Sequence, residues 1–520
     1  MFLKKIKTLT YTVLDRQEKK YLLSIIVAAI VVKLFLILQS EIINPDGVRY
    51  LNSAHELFQG HVAKAFKYDR NLVFSAILGL FNLIIPNGFM AGKMLSCLFL
   101  LLSTIPIYFI TRELFGCKAA VAAVLIFSTF PTINSLSISI VREPPFLFFF
   151  LLAVWCAILA LKNKDWRFLG AVGLFTLAAG AFRLEALLLY PILSLYLLFF
   201  ACKDNQHRSF YGKGILAVTA FPLFCLGAVL LVCLLDTGFA LALEKLYLRF
   251  LDHYVKEGFL SRYLSLYEFL KNSEMKVSGG VNPDDFFEIA RHNLFLVYLI
   301  GLIKSFLSSL TPLLILPFFY GLNFKNRLDR NSPLITTVIL VYLLGGYLFL
   351  LTRNYISARY LFVPVILCIP YMGHGFERLA DLLERRRYGR PVFVLIFSFV
   401  LLLPLASSFG KIEDEKTEIK IAGEWLQSEG LHTSRILTND ERIPFYAGLF
   451  RNEYRRMNFN QINRWAKKNV SKLKKYDVIA LRSSDKNNIV AKTPFNGFQM
   501  VKKFGSDDEI VLIYTSVDKL

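Results

Sequence analysis

Residues 21–50 read YLLSIIVAAIVVKLFLILQSEIINPDGVRY. A bilayer core takes roughly 20 apolar residues per helix, and the run from Tyr21 to Gln39 meets that length. The next stretch, Asn44-Pro45-Asp46-Gly47-Val48-Arg49-Tyr50, is polar and turn-forming. A membrane helix thus runs into an acidic surface segment, and the rest of the chain repeats that alternation.

The chain has 520 residues, 55% of them hydrophobic. We expect an α-helical polytopic membrane protein. Its spans, about eleven by the length criterion, lie near 21–39, 90–111, 118–136, 145–161, 168–182, 185–201, 214–235, 304–321, 334–352, 358–374 and 391–408. The N-terminal tail, residues 1–20, carries Lys4, Lys5, Lys7, Arg16, Lys19 and Lys20 and is expected in the cytoplasm. Alternation then puts the basic loops inside: Arg112 and Lys118, Lys162 to Arg167, Lys203 to Lys213, Lys325 to Arg330, and Arg378 to Arg390. The short loops left outside hold only Arg142, Arg183, and the pair Arg353 and Arg359. An odd number of spans places the C-terminus outside. The formal net charge of +21 therefore reads as topology and contact with anionic lipid, with no nucleic-acid partner. The seven cysteines lie in or beside apolar runs, so no disulfide framework is expected. No cleavable leader is expected, because the first apolar run is too long and lacks a small-residue cleavage site.

Two longer segments, 40–89 and 236–303, fall outside. In the first, Asn71 to Ile85 is apolar but short, and reads as a helix lying in the interface. In the second, residues 239–270 mix Leu, Phe and Tyr with charge and read as an interfacial helix pair. Ser278-Gly279-Gly280 with Asn282-Pro283 reads as a flexible turn, and Asp284 or Asp285 as a cap for the next helix. The chain divides into the tail, a transmembrane body over 21–408, and an extracytoplasmic α/β domain over 409–520. That domain should have a helix at Glu413 to Glu429 and strands at Arg435 to Thr438, Tyr476 to Leu481, Phe498 to Phe504 and Ile510 to Ser516. A hairpin turn is expected at Gly505-Ser506-Asp507-Asp508.

Ionisable groups near a membrane core are costly unless they pair or line a hydrated cavity, and here they gather at the outer ends of the spans. Asp46 could act as general base for an acceptor hydroxyl or amine; Pro-Asp-Gly is equally a turn signal. Arg142-Glu143-Pro144 offers a second acid, or an acidic helix start. Arg183-Leu184-Glu185, Arg353, Arg359 with Tyr360, Lys67, Arg70 and Lys304 put cations on a face where the positive-inside trend does not. A lipid phosphate accounts for them as a set; snorkelling to headgroups accounts for any one alone. The histidines are scattered, and His55 and His61 do not share a helical face.

These residues resemble the GT-C superfamily of membrane glycosyltransferases, and within it the bacterial branch of the lipid A aminoarabinose transferase and the protein O-mannosyltransferases (glycosyltransferase 39-like). The likeness rests on span one followed by Pro-Asp46-Gly-Val-Arg-Tyr, on Val141-Arg142-Glu143-Pro144-Pro145-Phe146, on Gly173 to Pro191 with Arg183 and Glu185, and on Ser357-Ala358-Arg359-Tyr360 to Pro364. It covers residues 20–375. The resemblance implies an inverting glycosyltransferase in the bacterial inner membrane. It would take a sugar from a polyprenyl-phosphate donor to a lipid, glycan or protein acceptor on the periplasmic face. Asp46 would be the catalytic base, with Glu143 standing where some relatives have Asp. Lys67, Arg70, Lys304, Arg353, Arg359 and Tyr360 would bind the donor phosphate. Arg49, Tyr50, Arg142, Arg183 and Glu185 would serve the acceptor or the structure. No paired acidic motif appears, so the metal set is unassigned, with room for a divalent ion. Three rival classes remain: a polymerase or ligase using diphosphate-linked glycans, for which His253 and His292 speak; a polytopic transporter, which should show an internal repeat; and a non-enzymatic scaffold displaying the C-terminal domain, which would leave the outer-face cations unexplained.

Overall fold

The computed structural model describes residues 16–235, 244, 260–274, 283–322, 332–386, 388–413, 417–431, 435–449, 454–457, 462, 470–473, 475–483, 495, 497–505 and 510–517. Among these, seven helices are long and apolar enough to cross a membrane: Arg16–Gln39 (α1), Gly88–Phe115, Glu143–Asn163, Leu184–Lys203, Asn205–Leu235, Pro333–Arg353 and Gly389–Gly410. Two bent pairs, Cys117–Thr129 with Pro131–Ser137 (54°) and Phe286–His292 with Leu294–Ser309 (66°), raise the total to nine if each is one span.

The expectation of about eleven spans is not confirmed by this count among the described residues, for local reasons. Residues 304–321 are not one helix: Leu294–Ser309 ends, and Pro312–Gly321 begins after Thr311 at φ +68°. A residue before proline is disfavoured in the helical region, so the chain breaks there. Arg167–Phe182 has only 16 residues. Phe362–Glu384 is long enough, but its second half carries His374, Glu377, Arg378, Asp381 and Glu384. Much of 239–270, the Ser278-Gly279-Gly280 turn, residues 506–509 of the hairpin turn, and the basic residues Lys4, Lys5, Lys7, Lys325, Arg327, Arg330 and Arg387 lie outside the described residues. Asp284 and Asp285 sit within the helix Pro283–His292 instead of capping it from outside.

The chain forms two compact units. The first comprises residues 1–27, 101–130 and 145–404. Its centre is Phe362–Glu384, buried without interruption from Phe362 to Gly373. Small residues permit its close packing: a Cβ on Gly373 would strike the Ala119 carbonyl, and one on Gly375 the Pro317 carbonyl. Without a hydrophobic driving force inside lipid, backbone proximity of this kind is a main source of helix association.

The second unit comprises residues 28–100, 131–144 and 405–520. After α1 come Pro45–Phe58 (α2), Val62–Tyr68 (α3), Leu72–Ile84 (α4) and Gly88–Phe115 (α5). The unit also holds a five-stranded sheet of Ile436–Thr438 (β1), Tyr454–Arg456 (β2), Val478–Ser483 (β3), Phe498–Phe504 (β4) and Ile510–Ser516 (β5). The order is β2-β1-β3-β5-β4; β1 is parallel to β2 and β3, and β5 is antiparallel to β3 and β4. Side chains alternate across a strand. Val511 and Ile513 accordingly join Ile419, Ala422 and Leu426 of the helix Thr417–Ser428 on one face. Ile510, Leu512 and Tyr514 join Leu473 and Phe495 on the other. Four strands and the helix match the sequence reading within a few residues; β2 was not anticipated, being three residues rich in charge.

The turn after β1 is locked by charge. The Asp440 carboxylate accepts the Arg442 fork (Nε 2.9 Å, Nη2 2.6 Å), the Arg442 backbone N–H (3.1 Å) and Arg482 Nη1 (3.1 Å). Burial opposes ionisation of Asp440, but the Arg442 fork outweighs it and holds the carboxyl below its ordinary range. A depressed carboxyl stabilises the fold above the unfolded value of about 3.9, and that stability is lost as pH falls through the folded value. Asp440→Ala should cost the sheet about 3–5 kcal/mol of protection against amide exchange at neutral pH. The deficit should shrink at pH values below about 4, once rates are corrected for intrinsic exchange.

Candidate functional site

Pro-Asp-Gly forms no reverse turn; it opens helix α2. Pro45 takes the first helical position, where its missing N–H costs nothing, and Asp46 lies in the first turn, where the helix end favours negative charge. Asn44, at the capping position, makes no cap bond to its own helix. Its carboxamide instead reaches Ile140, accepting from the backbone N–H (2.8 Å) and donating to the carbonyl (3.1 Å). Gly47 and Gly92 make room: a Cβ on Gly47 would lie 3.0 Å from Ile140 Cβ, and one on Gly92 2.7 Å from Ile140 Cδ1. Arg142 and Glu143 come directly after, so the segments carrying Asp46 and Glu143 are fastened together.

Tyr50, one turn after Asp46, is buried and packs edge-on against Phe74 (4.9 Å between centroids). Burial pushes its phenol up, and the charges of Arg142, Asp46, Glu143 and Asp69 all act on it. The structure therefore brings Asp46, Tyr50, Arg142 and Glu143 together and adds Asp69. Asp69 accepts from the Asn71 N–H (3.0 Å) and Ser75 Oγ (3.4 Å), and burial raises its carboxyl above the ordinary range. The sequence reading weighed Lys67 and Arg70 and passed over the acid between them. Lys67 and Arg70 are exposed beside it on the same segment. Asp46 is one-third exposed and lies 3.7 Å from Arg49, whose Nε donates to Glu441 Oε1 at 2.9 Å.

The remaining residues belong to the first unit. Arg183 is nearly buried and grips Glu185 at 2.8 and 3.4 Å, with Phe146 beneath its guanidinium. The Glu185 carbonyl accepts from the Tyr342 hydroxyl (2.7 Å). This pair sets a turn. Arg353 ends the helix Ser332–Arg353, and Asn354, at φ +55°, accepts from the Tyr298 hydroxyl (2.7 Å) and donates to the Arg262 carbonyl (3.2 Å). Arg359 and Tyr360 are exposed in a short 3-10 turn, with Tyr360 against Phe349 (4.1 Å). The helix Leu294–Ser309, which carries the exposed Lys304, packs against that turn and against Ser332–Arg353. Arg262 thus joins Lys304, Arg353 and Arg359 as a fourth cation of this region.

Two buried lysines also escaped the sequence reading. Lys33 Nζ donates to Asn134 Oδ1 (3.0 Å), and Asn134 Nδ2 to Ser408 Oγ (3.3 Å). Lys93 donates to the Ser40 carbonyl and sits over Phe89. Each is a single Lys in an apolar run, which is the signal that marks an internal partner. Among the described residues, no three His, Cys, Asp or Glu side chains are grouped to hold a metal ion. His61 is engaged with the buried Glu56 (2.9 Å). Asn44→Leu would leave the Ile140 peptide without both partners; thermal unfolding should show a loss of about 2 kcal/mol or more.

The family model for dolichyl-phosphate-mannose-protein mannosyltransferases matches residues 69–231, a segment that includes Arg142, Glu143, Arg183 and Glu185 and begins after Asp46. No curated protein matches the chain in sequence. Among solved structures, ArnT from Cupriavidus metallidurans bound to undecaprenyl phosphate is 12% identical, with TM-score 0.56 over 95% of this chain and 98% of that one. The Archaeoglobus fulgidus oligosaccharyltransferase, in its complex with Zn and sulfate, is 11% identical, with TM-score 0.54 over 88% and 67%. The family model covers less than half of the chain, and at such identities structural likeness speaks for the fold alone: the chain has the fold of these two membrane proteins, with a mannosyltransferase-like segment over residues 69–231.

Proposed function

We propose that the protein is a glycosyltransferase that moves a sugar from a polyprenyl-phosphate donor to a lipid, glycan or protein acceptor at the outer, periplasmic face of the bacterial inner membrane. In this reading Asp46 is the general base and the anomeric configuration inverts. The observation that carries it is the placing of Asp46: at a helix start, one-third exposed, and fastened through Asn44 to the segment bearing Arg142 and Glu143.

The groups available support the following chemistry. The acceptor hydroxyl or amine gives its proton to the Asp46 carboxylate as its lone pair attacks the anomeric carbon. The bond from that carbon to the phosphate oxygen breaks, and the electron pair leaves with the polyprenyl phosphate. Cations stabilise the charge gathering on that phosphate. In the unit that carries Asp46 the candidates are Lys67 and Arg70; Lys304, Arg353 and Arg359 are the candidates that the other unit offers by itself. Tyr50, its phenol raised by burial, stays protonated as a donor. ArnT, a similar fold, was solved with undecaprenyl phosphate, which supports a lipid phosphate as leaving group. Sidedness rests on the basic inner loops. The contacts of residues 41–49 with the sheet domain support a common side for that domain and Asp46. We divide the chain accordingly into a cytoplasmic tail (1–20), a transmembrane body (21–408) and a periplasmic domain (409–520).

Purified protein in lipid should consume at least one of a panel of radiolabelled polyprenyl-phosphate sugars when membrane extract supplies the acceptor. Asp46→Asn should lower transfer by about 100-fold or more at unchanged expression and thermal stability. A fully active Asp46→Asn would refute the base assignment. Consumption of none of the donors by folded protein would point to diphosphate-linked donors.

A further inference from the structure

Leu51, His55 and Phe58 share one face of α2. That face, together with α4, the start of α5 and Phe445 of the C-terminal sheet domain, lines a groove of about 410 Å³. All of these residues lie in the second unit. The volume falls within the range of ligand sites, roughly 300–1,000 Å³. Two glycines shape the walls. A Cβ on Gly79 would lie 2.2 Å from the Phe58 ring, and one on Gly88 2.9 Å from Leu51 Cδ2. Phe58 and Leu51 therefore sit against bare backbone. Phe445 is held in place through its neighbour. The Tyr446 hydroxyl donates to the Glu41 carbonyl (2.9 Å) and accepts from the Ile43 N–H (2.7 Å). From the same domain, Lys420 Nζ meets Glu41 Oε2 at 2.5 Å.

The lining chemistry selects the occupant. Leu51, Ala54, Leu78, Phe89 and Phe445 give apolar walls, with Ala54 and Leu78 buried. His55, Gln59, Asn82 and Asn87 are exposed and form the rim. Among the described residues, no Asp, Glu, Lys or Arg lines the groove. A phosphate or carboxylate would enter it at a desolvation cost that no cation offsets. A sugar would press its hydroxyls against hydrocarbon and lose their hydrogen bonds. A hydrocarbon chain matches the walls, and the group at its foot should be polar and neutral. The rim is made for such a group. Asn87 Oδ1 accepts from the Met90 N–H (3.1 Å), which leaves its amide as a donor. The Gln59 amide donates to the His55 ring (2.8 Å), and Asn82 adds a further amide. An acyl ester ends its chain in a neutral carbonyl that these amides can serve. A polyprenyl phosphate ends its chain in charge.

Helix α4 shows where the chain comes from. Leu80, Leu83 and Ile84 recur at helical spacing and are exposed. Leu83, 71% exposed, also lines the groove. An apolar helix face of this kind suits the boundary between headgroups and acyl chains. The groove is thus continuous with a surface fit for that boundary, and a bilayer chain can enter it without crossing water. The geometry points to a site for one acyl chain of a bilayer glycerophospholipid, with its ester carbonyl at the amide rim. A lipid held there bridges α2 and the short helix Arg442–Tyr446 of the sheet domain. This inference does not depend on the reaction assigned to Asp46.

The test places the full-length protein in vesicles of phosphatidylethanolamine and phosphatidylglycerol. A trace of the phosphatidylethanolamine carries a diazirine midway along one acyl chain. After illumination, labelled residues are mapped by peptide mass spectrometry. The exposed Leu231, on the apolar helix Asn205–Leu235, reports contact with bulk lipid. Label is expected at Phe445 and within Leu51–Phe58 as well as at Leu231; its absence from Phe445 overturns the inference. Ala54→Leu fills the groove and should lower the Phe445 label about fivefold relative to Leu231. Leu83→Trp, a plug at the exposed mouth, serves should Ala54→Leu not fold. A Phe445 label unchanged in the folded variant overturns the inference. Undecaprenyl phosphate at about tenfold excess over the protein should leave the Phe445 label in place, as should the neutral glycan maltohexaose. Clearing of that label by the first would make the occupant a prenyl chain, and by the second a sugar; either result overturns the inference.

Discussion

A carboxamide offers a donor and an acceptor in fixed relation, and Asn44 uses both on the peptide group of Ile140. Two chain segments almost a hundred residues apart are thereby set in register. One begins the helix that carries Asp46, Arg49 and Tyr50; the other leads into Arg142 and Glu143. Neither segment could be placed by hydrophobic burial alone, since burial is indifferent to sliding by an ångström. A two-point polar contact is not, and the glycines at 47 and 92 leave the space it needs. The acid cluster around Tyr50, with Asp69 added, depends on that registration.

Polar groups elsewhere obey one rule: where water is scarce, each charge is assigned a specific partner. Lys33 has Asn134, Arg183 has Glu185, and Asp440 has two arginines. These pairs contribute uniqueness more than stability, because desolvation offsets much of their attraction. Lys67, Arg70, Lys304 and Arg359 are exposed, so desolvation constrains them less than it does the buried pairs.

Composition and hydropathy made the membrane class and most of the spans legible, because apolar runs of bilayer length have few other uses. The strands showed for a similar reason: Ile510 to Ser516 alternates in a way that only a sheet exploits. The features that stayed hidden were set by tertiary partners. Nothing local to Pro45-Asp46-Gly47 tells a reverse turn from a helix start; the choice is made by packing against α4 and Ile140. The break at Thr311 could have been read from Pro312, but hydropathy averaged over it. Asp69 was missed because it sits close to two cations, Lys67 and Arg70, that drew the reading to themselves. Glu441 was beyond sequence reasoning altogether, since its meaning lies in Arg49, a residue 392 positions away.

That separation bears on how the protein is made. Chains leave the ribosome at about 5–20 residues per second. The helix with Asp46 therefore waits about 20–80 seconds for the carboxylate that positions its arginine. Throughout that interval Arg49 lacks its Glu441 partner, and Glu41 and Ile43 lack Lys420 and Tyr446, so the segment from Glu41 to Arg49 reaches its final setting only when the last domain has been made.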